Sequence, residues 1–487
     1  MRETTKVAKQ GQHRRWVSVG LATVLALAMT AMLLAIMTQA ASSGWFFRIQ
    51  RNLSSTDDRW SVYPDVAADA DGDPLVAVWI EEYDYLAGSG YLGHVRMRAA
   101  SASSGGWADT TNVYYGNSSA CASYRAAVAI TGTTAHVAYI VNKPCGGPEY
   151  TEVRHTTCDL SGGMWLCGGS EIVTSTQVVS SYVTTVDVAV DAVGNPRIVW
   201  TQYYESPPGT NNWYGTIYYR GKEGGYWGDI ETVYNSGDSG NPAIAWANGY
   251  DHIVWEYQDT PGGVVEQIRY KRRDSSSGTW LARTLFDYQA DITEPGYYPP
   301  GNPDVAAGGE RVCAVWDIRY DDAVPPTYPE TYAVVYRYSS DDGVNFAPLY
   351  QVHPDYNPGH ANLAHYDPID NSLVGRLQPS IALGDDYLPG VVWHGASQET
   401  GDLPGVYYSF ILSDTGKWLT PTVLLSDWAD NGVGAAGVAM AKEDDETPFM
   451  HIVYMRKWHA LNWDVHYGSG SEVLPDYPTI YFPLMTR

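Results

Sequence analysis

The chain has 487 residues, of which 17% are charged and 13% aromatic, with 18 Trp, 38 Tyr and only 7 Phe. Acidic residues outnumber basic ones 55 to 30, and beyond the first forty residues the balance is 54 to 25, or −29. So acidic a surface repels phosphate backbones and anionic lipid, which excludes nucleic acid as a partner, and so aromatic a composition excludes intrinsic disorder.

The chain opens with Arg2, Lys6, Lys9, Arg14 and Arg15, followed by an uncharged stretch from Trp16 to Ala41. A basic segment, an apolar run and then small residues form an export signal. The run is also long enough for an uncleaved membrane anchor, since about 20 apolar residues span a bilayer. Residues 1–40 are therefore assigned as signal peptide or anchor, and the remainder is expected to be secreted or at the cell surface, with membrane contact only through that segment.

From residue 60 onward one phrase recurs: a Pro or small residue, a Val-Ala-like pair, a turn, then an apolar run ending in Trp or Tyr. The runs end at Trp79, Tyr139, Trp200, Trp255, Trp316, Trp393 and Tyr454, which are 55 to 77 residues apart. In each copy a third β-rich run follows, such as His94–Met97 or Thr216–Tyr219. In the first six a turn then leads to a second aromatic: Trp107, Trp165, Trp227, Trp280, Phe346 and Trp418. Four antiparallel strands repeated seven times predict an all-β, seven-bladed β-propeller over residues 41–470. The seventh copy has no Trp-led fourth strand, so Trp45–Ile49 is expected to supply it and close the ring. Eleven of the 18 Trp, including Trp45, occupy repeat positions and are assigned to the core. Residues 471–487 form a tail.

Between the third and fourth strands of copy five stands Ser339-Ser340-Asp341-Asp342-Gly343-Val344-Asn345-Phe346. This resembles the Asp-box of sialidase-type (BNR-repeat) propellers, with degraded versions at Ser413–Trp418 and Gly162–Trp165. The resemblance implies a sialidase-like propeller in a seven-bladed variant, and a turn whose Asp and Ser bind its own backbone away from the active face. Phe47-Arg48-Ile49-Gln50 resembles the N-terminal Phe-Arg-Ile-Pro of sialidases, but the predicted register puts Arg48 in the outer closing strand, far from the centre.

Cys121, Cys145, Cys158 and Cys167 all fall in copy two and read as two disulfides in an exported protein. Blade-to-blade loops share a face with loops between strands two and three, which pairs Cys121 with Cys145. The turn between strands three and four lies on the opposite face, flanked by Cys158 and Cys167. Cys313, inside a strand, reads as a small buried hydrophobe.

Propeller ligands bind at the mouth of the central channel. Residues just after each strand-two anchor are expected there: Glu81, Glu82, Gln202, Glu256, Asp317, Arg319, His394 and Arg456. Tyr63, Arg125, Asn241, Asn302 and Arg376 precede first strands and join them, with loop tyrosines that include Tyr203, Tyr204 and Tyr257. Carboxylates, Arg and Tyr suit a sugar, through hydroxyl partners and a stacking face. Glu256 and Asp317 hold equivalent positions on adjacent blades and form a candidate carboxylate pair for glycoside hydrolysis.

No cofactor is expected. His353, Asp355, His360, His365 and Asp367 lie in the longest connection and read as a lid. Asp69-Ala70-Asp71-Gly72-Asp73 resembles the start of a calcium loop, but Asp191-Ala192-Val193-Gly194-Asn195 at the same place in copy three marks a β-turn. His136, His252 and His451 sit on three separate copies and cannot converge on a metal. The leading expectation is a non-catalytic recognition propeller binding carbohydrate or a cell-surface glycan. The alternatives are a glycoside hydrolase or lyase using Glu256 and Asp317, and a structural propeller with a protein partner.

Overall fold

The structure is a computed structural model that describes residues 46–54, 60–69, 74–84, 91–101, 106–145, 150–161, 164–177, 181–207, 209–210, 212–259, 266–282, 284–288, 297–320, 331–346, 350–351, 378–384, 388–395, 405–410, 422–426, 433–442, 448–459 and 462–471. By contacts the chain divides into two units, Phe47–Ser469 and the two terminal stretches taken together. The first unit is all-β, built from seven antiparallel sheets.

The innermost strands are Trp60–Ala68, Cys121–Thr131, Ser181–Val190, Asp238–Ala247, Tyr297–Gly308, Ser380–Leu383 and Val433–Lys442. Each packs against the next, and the seventh packs against the first, closing the ring. Blade seven takes its outermost strand, Phe46–Asn52, from the start of the chain; it pairs with Asn462–Ser471 as the repeat register requires. Leu53 N–H donates to the Val465 carbonyl at 2.7 Å, and Ser54 Oγ donates to Asp464 at 3.0 Å, so the closure extends beyond the ladder. The pairing covers the edge that Asn462–Ser471 would otherwise expose.

All seven anchors, Trp79, Tyr139, Trp200, Trp255, Trp316, Trp393 and Tyr454, are at most 2% exposed. Each large ring fills the space between blades, where burial removes roughly 150–250 Å² from water. The fourth strand differs from expectation in four blades. It is broken into a short piece carrying the second aromatic and a separate piece beyond it, as in Gly106–Trp107 and Thr111–Tyr114, both paired to Tyr91–Ser101. Trp45 and Trp418 lie outside the described residues, as do the N-terminal signal, the His353–Asp367 stretch and the C-terminal tail. Among the described residues no helix is long and apolar enough to cross a membrane.

Blade two carries both disulfides, Cys121–Cys145 and Cys158–Cys167, in the pairing that topology predicts, and Cys313 is a buried free thiol. In the Ser339–Phe346 turn, Ser339 Oγ donates to Asp341 at 2.6 Å and accepts from Gly343 N–H at 3.0 Å. Asp341 accepts from Asn345 N–H at 2.9 Å, and these donors hold its carboxyl down at about 2. Asp191 likewise accepts from the Val193 and Asn195 amides at 3.1 and 2.8 Å and from Arg197, which makes it a turn carboxylate. His136, His252 and His451 each bond within their own blade, to His155, Tyr270 and Tyr467.

Candidate functional site

The inner strands do not pair continuously. Their register breaks near the same level in six blades, between Val62 and Asp65, Ser123 and Ala126, Val183 and Thr185, Gly240 and Ala243, Gly301 and Asp304, and Gly434 and Ala436. At this level five non-glycine residues take left-handed backbone: Tyr63, Tyr124, Asn241, Asn302 and Gln378, with φ of 52°, 61°, 45°, 48° and 47°. Such conformations cost roughly 1–2 kcal/mol per residue for side chains other than Gly, and a bulge re-aims the side chains that it carries.

The result is a central cavity of about 360 Å³ to which all seven inner strands contribute. Tyr63, Tyr124, Asn241, Asn302 and Gln378 line it, with Thr184 and Thr185 from blade three and Ala436 from blade seven. Four of the left-handed residues are followed by proline (Pro64, Pro242, Pro303 and Pro379), and the fifth by Arg125. A cation therefore stands where the other four left-handed residues are followed by a rigid apolar ring.

Arg125 is open to the cavity yet ringed by protein. Burial alone would weaken its charge, but the carboxylates of Asp65, Asp187 and Asp304 outweigh that and raise its pKa. These three occupy one repeat position on blades one, three and five. Each accepts a backbone amide of the following blade: Asp65 from Val128 at 2.8 Å, Asp187 from Ile244 at 2.8 Å and Asp304 from Ile381 at 2.9 Å. Burial pushes the Asp187 carboxyl up to about 7, with Asp304 and Asp65 adding to the shift and Arg125 opposing it. They thus join neighbouring blades and place negative charge around Arg125.

Glu256 and Asp317 do converge, but on a protein group. Glu256 accepts the N–H of Asn302, the left-handed residue of the next blade, and Asp317 accepts that of Gln378 at 3.4 Å. Asp317 also receives the Asn302 side-chain amide at 3.1 Å. Met455, at the equivalent place in blade seven, accepts the Tyr63 amide on its sulfur at 3.2 Å. The residue after the anchor thus caps the bulge of the following blade. Neither carboxylate lines the cavity, and Asp317 is 1% exposed.

The other sequence candidates divide. Tyr63, Arg125, Asn241 and Asn302 line the cavity. Glu81 is buried in an ion pair with Arg96, and Tyr257 is buried with the Arg269 guanidinium 3.1 Å from its ring centroid. His394 is 4% exposed, and burial holds its imidazole down at about 4. Arg376 and the side chain of Arg319 lie outside the described residues. Tyr124, Gln378 and the three aspartates went unassigned in the sequence. The signals available were a charge inside an otherwise apolar phrase, in Pro64-Asp65 and Pro303-Asp304, and Arg125 standing where other copies have Pro. Among the described residues no group of three or more His, Cys, Asp or Glu is arranged to hold a metal ion.

No family model and no curated protein matches the chain. Solved structures to which it is similar include the NanB sialidase of Streptococcus pneumoniae, with 8% identity, a TM-score of 0.41, and coverage of 88% of this chain and 70% of that one. The GH93 α-L-arabinofuranosidase of Fusarium graminearum shows 12% identity and a TM-score of 0.43 over 88% of this chain and 98% of that one. A protein of unknown function from Dyadobacter fermentans shows 10% identity and a TM-score of 0.45 over 88% and 99%. No functional residue is carried over from any of them.

Proposed function

We propose that the chain is an exported recognition propeller whose central cavity binds carbohydrate without cleaving it. The observation that carries this reading is the set of five left-handed residues, Tyr63, Tyr124, Asn241, Asn302 and Gln378, that line one cavity of about 360 Å³ beside Arg125. That volume falls within the usual range of small-ligand sites, ~300–1,000 Å³. Amide and hydroxyl groups match sugar hydroxyls, and the phenol rings offer apolar faces. The two disulfides support an oxidising compartment.

Recognition is favoured over hydrolysis because Glu256 and Asp317 each accept hydrogen bonds from bulge amides and stand outside the cavity lining. A glycan array probed with the purified chain tests the reading. Binding that Arg125→Met abolishes, with no sugar released from the bound glycans, is the expected result. Silence across the array points instead to a protein partner, and release of reducing sugar returns the hydrolase reading.

A further inference from the structure

Tyr115 stands in the connection from blade one to blade two and is 67% exposed, more than either cavity tyrosine. Its ring lies on the imidazole of His94, 4.3 Å between centroids and 17° from parallel, which leaves the outer face of the phenol to solvent. The imidazole beneath is fixed: His94 is buried, and its Nδ1 accepts the Gly116 N–H at 2.8 Å.

The rest of the connection is braced as closely. Asn117 N–H donates to the Ala120 carbonyl at 2.7 Å, and the Asn117 side-chain oxygen accepts the Ser119 N–H at 2.8 Å. Cys145 N–H donates to the Ser118 carbonyl at 3.3 Å, beside the Cys121–Cys145 disulfide. Gly116 presses so closely on blade one that a β-carbon there would come within 2.3 Å of the Gly93 carbonyl oxygen. A large ring held open to water in one orientation has little rotamer freedom left to lose on binding.

Backbone contact ties this ring to the cavity. Gly93, next to His94, packs against Ala122, where a β-carbon would meet the carbonyl oxygen at 2.0 Å. Ala122 precedes Tyr124, a cavity residue, by two positions. The backbones of His94 and Tyr124 are thereby held within about 16 Å of each other. Their strands, Tyr91–Ser101 and Cys121–Thr131, both begin at this end of the blades.

Resting on the carbohydrate reading of the cavity, we infer that Tyr115 is a second sugar-stacking site, and that the ligand is a glycan chain with its end in the cavity and a later unit on Tyr115. A stacked sugar lays its C–H face on the phenol, so this contact depends on the length of the chain and not on its charge.

Calorimetric titration of the full chain with cello-, xylo- and N-acetylated chito-oligosaccharides and with oligogalacturonides, each of one to six units, tests this. In whichever series binds, affinity is expected to rise about fivefold or more once the chain spans from cavity to platform, the worth of one aromatic stacking contact. Tyr115→Ala should remove that gain and leave the shortest bound sugar unchanged. Tyr115→Phe, which keeps the ring, should retain it. Tyr226→Ala removes a tyrosine that is 82% exposed in the turn between strands three and four of blade three, on the opposite face, and should leave every length unchanged. Affinity independent of length, a length gain that survives Tyr115→Ala, or a loss shared by the shortest sugar overturns the platform while the cavity reading stands. Binding of no sugar in any series overturns both. The wild-type length series needs no variant, so the test does not depend on how the Tyr115→Ala protein folds.

Discussion

Arg125 replaces the proline found at this place in four other blades and lies among the charges of three carboxylates. Its removal leaves Asp65, Asp187 and Asp304 to repel one another. Because the cavity admits solvent, the expected cost is at the low end for a broken charge cluster, about 1–2 kcal/mol at pH 7. The loss should shrink on acidification as Asp187, already held up at about 7, takes a proton. Urea unfolding of Arg125→Met and wild type at pH 7.5 and 5.5 checks this, and an equal deficit at both pH values contradicts it. Glu256 offers a separate test of capping against catalysis. Glu256→Gln keeps an acceptor for the Asn302 amide and is expected to leave stability and glycan binding within experimental error of wild type. Glu256→Ala strands that N–H and should cost about 1–3 kcal/mol. A Gln variant as damaged as the Ala variant would show that the charge itself is needed.

At the scale of the strand, Cys121–Cys145 secures the entry to the inner strand of blade two, and Cys121 precedes Tyr124 by three residues and Arg125 by four. Closing a loop of this span is worth about 3 kcal/mol in the chain-entropy account. The Cys121→Ser/Cys145→Ser double variant is therefore expected to unfold at lower denaturant and to bind glycan more weakly, because the strand end that presents Tyr124 loosens. Cys158–Cys167, on the opposite face, should affect stability but not affinity. Denaturant titration and glycan titration of both double variants separate the two. The blades could be read from sequence because Trp and Tyr anchors repeat with a strand-turn-strand rhythm, and the missing fourth strand of copy seven pointed to Phe46–Asn52. The site was only half legible. Alternation assumes an unbroken period of two, and the bulges at Tyr63-Pro64 and Asn302-Pro303 reset it; the recurring proline marks them, but it was read only as the start of the repeat phrase. Glu256 and Asp317 were placed at the mouth because they follow the strand-two anchors, whereas they accept backbone amides of the next blade.

For the molecule as a whole, buried histidines set the acid limit. Burial holds His136 and His394 at about 4, and His155, His252 and His451 at about 3, with His136 also lowering His155. Their folded values lie below the unfolded value of about 6.5, so their contribution is full above that pH and is lost as the pH falls. Asp187 and Asp251, raised to about 7 and 6, act in the opposite sense and favour the folded state in acid. Asp65, Glu82, Asp238 and Asp304 are raised by burial as well and act with them, so the carboxylates offset the histidines above about pH 4.5, and the net loss of stability is expected below that, where the unfolded carboxylates take up protons too. Thermal unfolding across about pH 3–7.5 checks this, and a midpoint as high near pH 3.5 as near pH 6 would contradict it.

The ring closure also orders events in time. Ser54 and Val465 meet across 411 residues of chain, and Phe46–Asn52 finds its partner strand only in Asn462–Ser471. A ribosome makes the earlier segment first, yet its edge of hydrogen-bonding groups must wait until nearly everything else has been synthesised. Contacts of such sequence separation are slow to form, because the intervening chain entropy is lost before they repay it. Six blades can assemble by local hairpins while the seventh stands open. The completed outer edge of blade seven is therefore expected late in folding, once the first strand and the last have met.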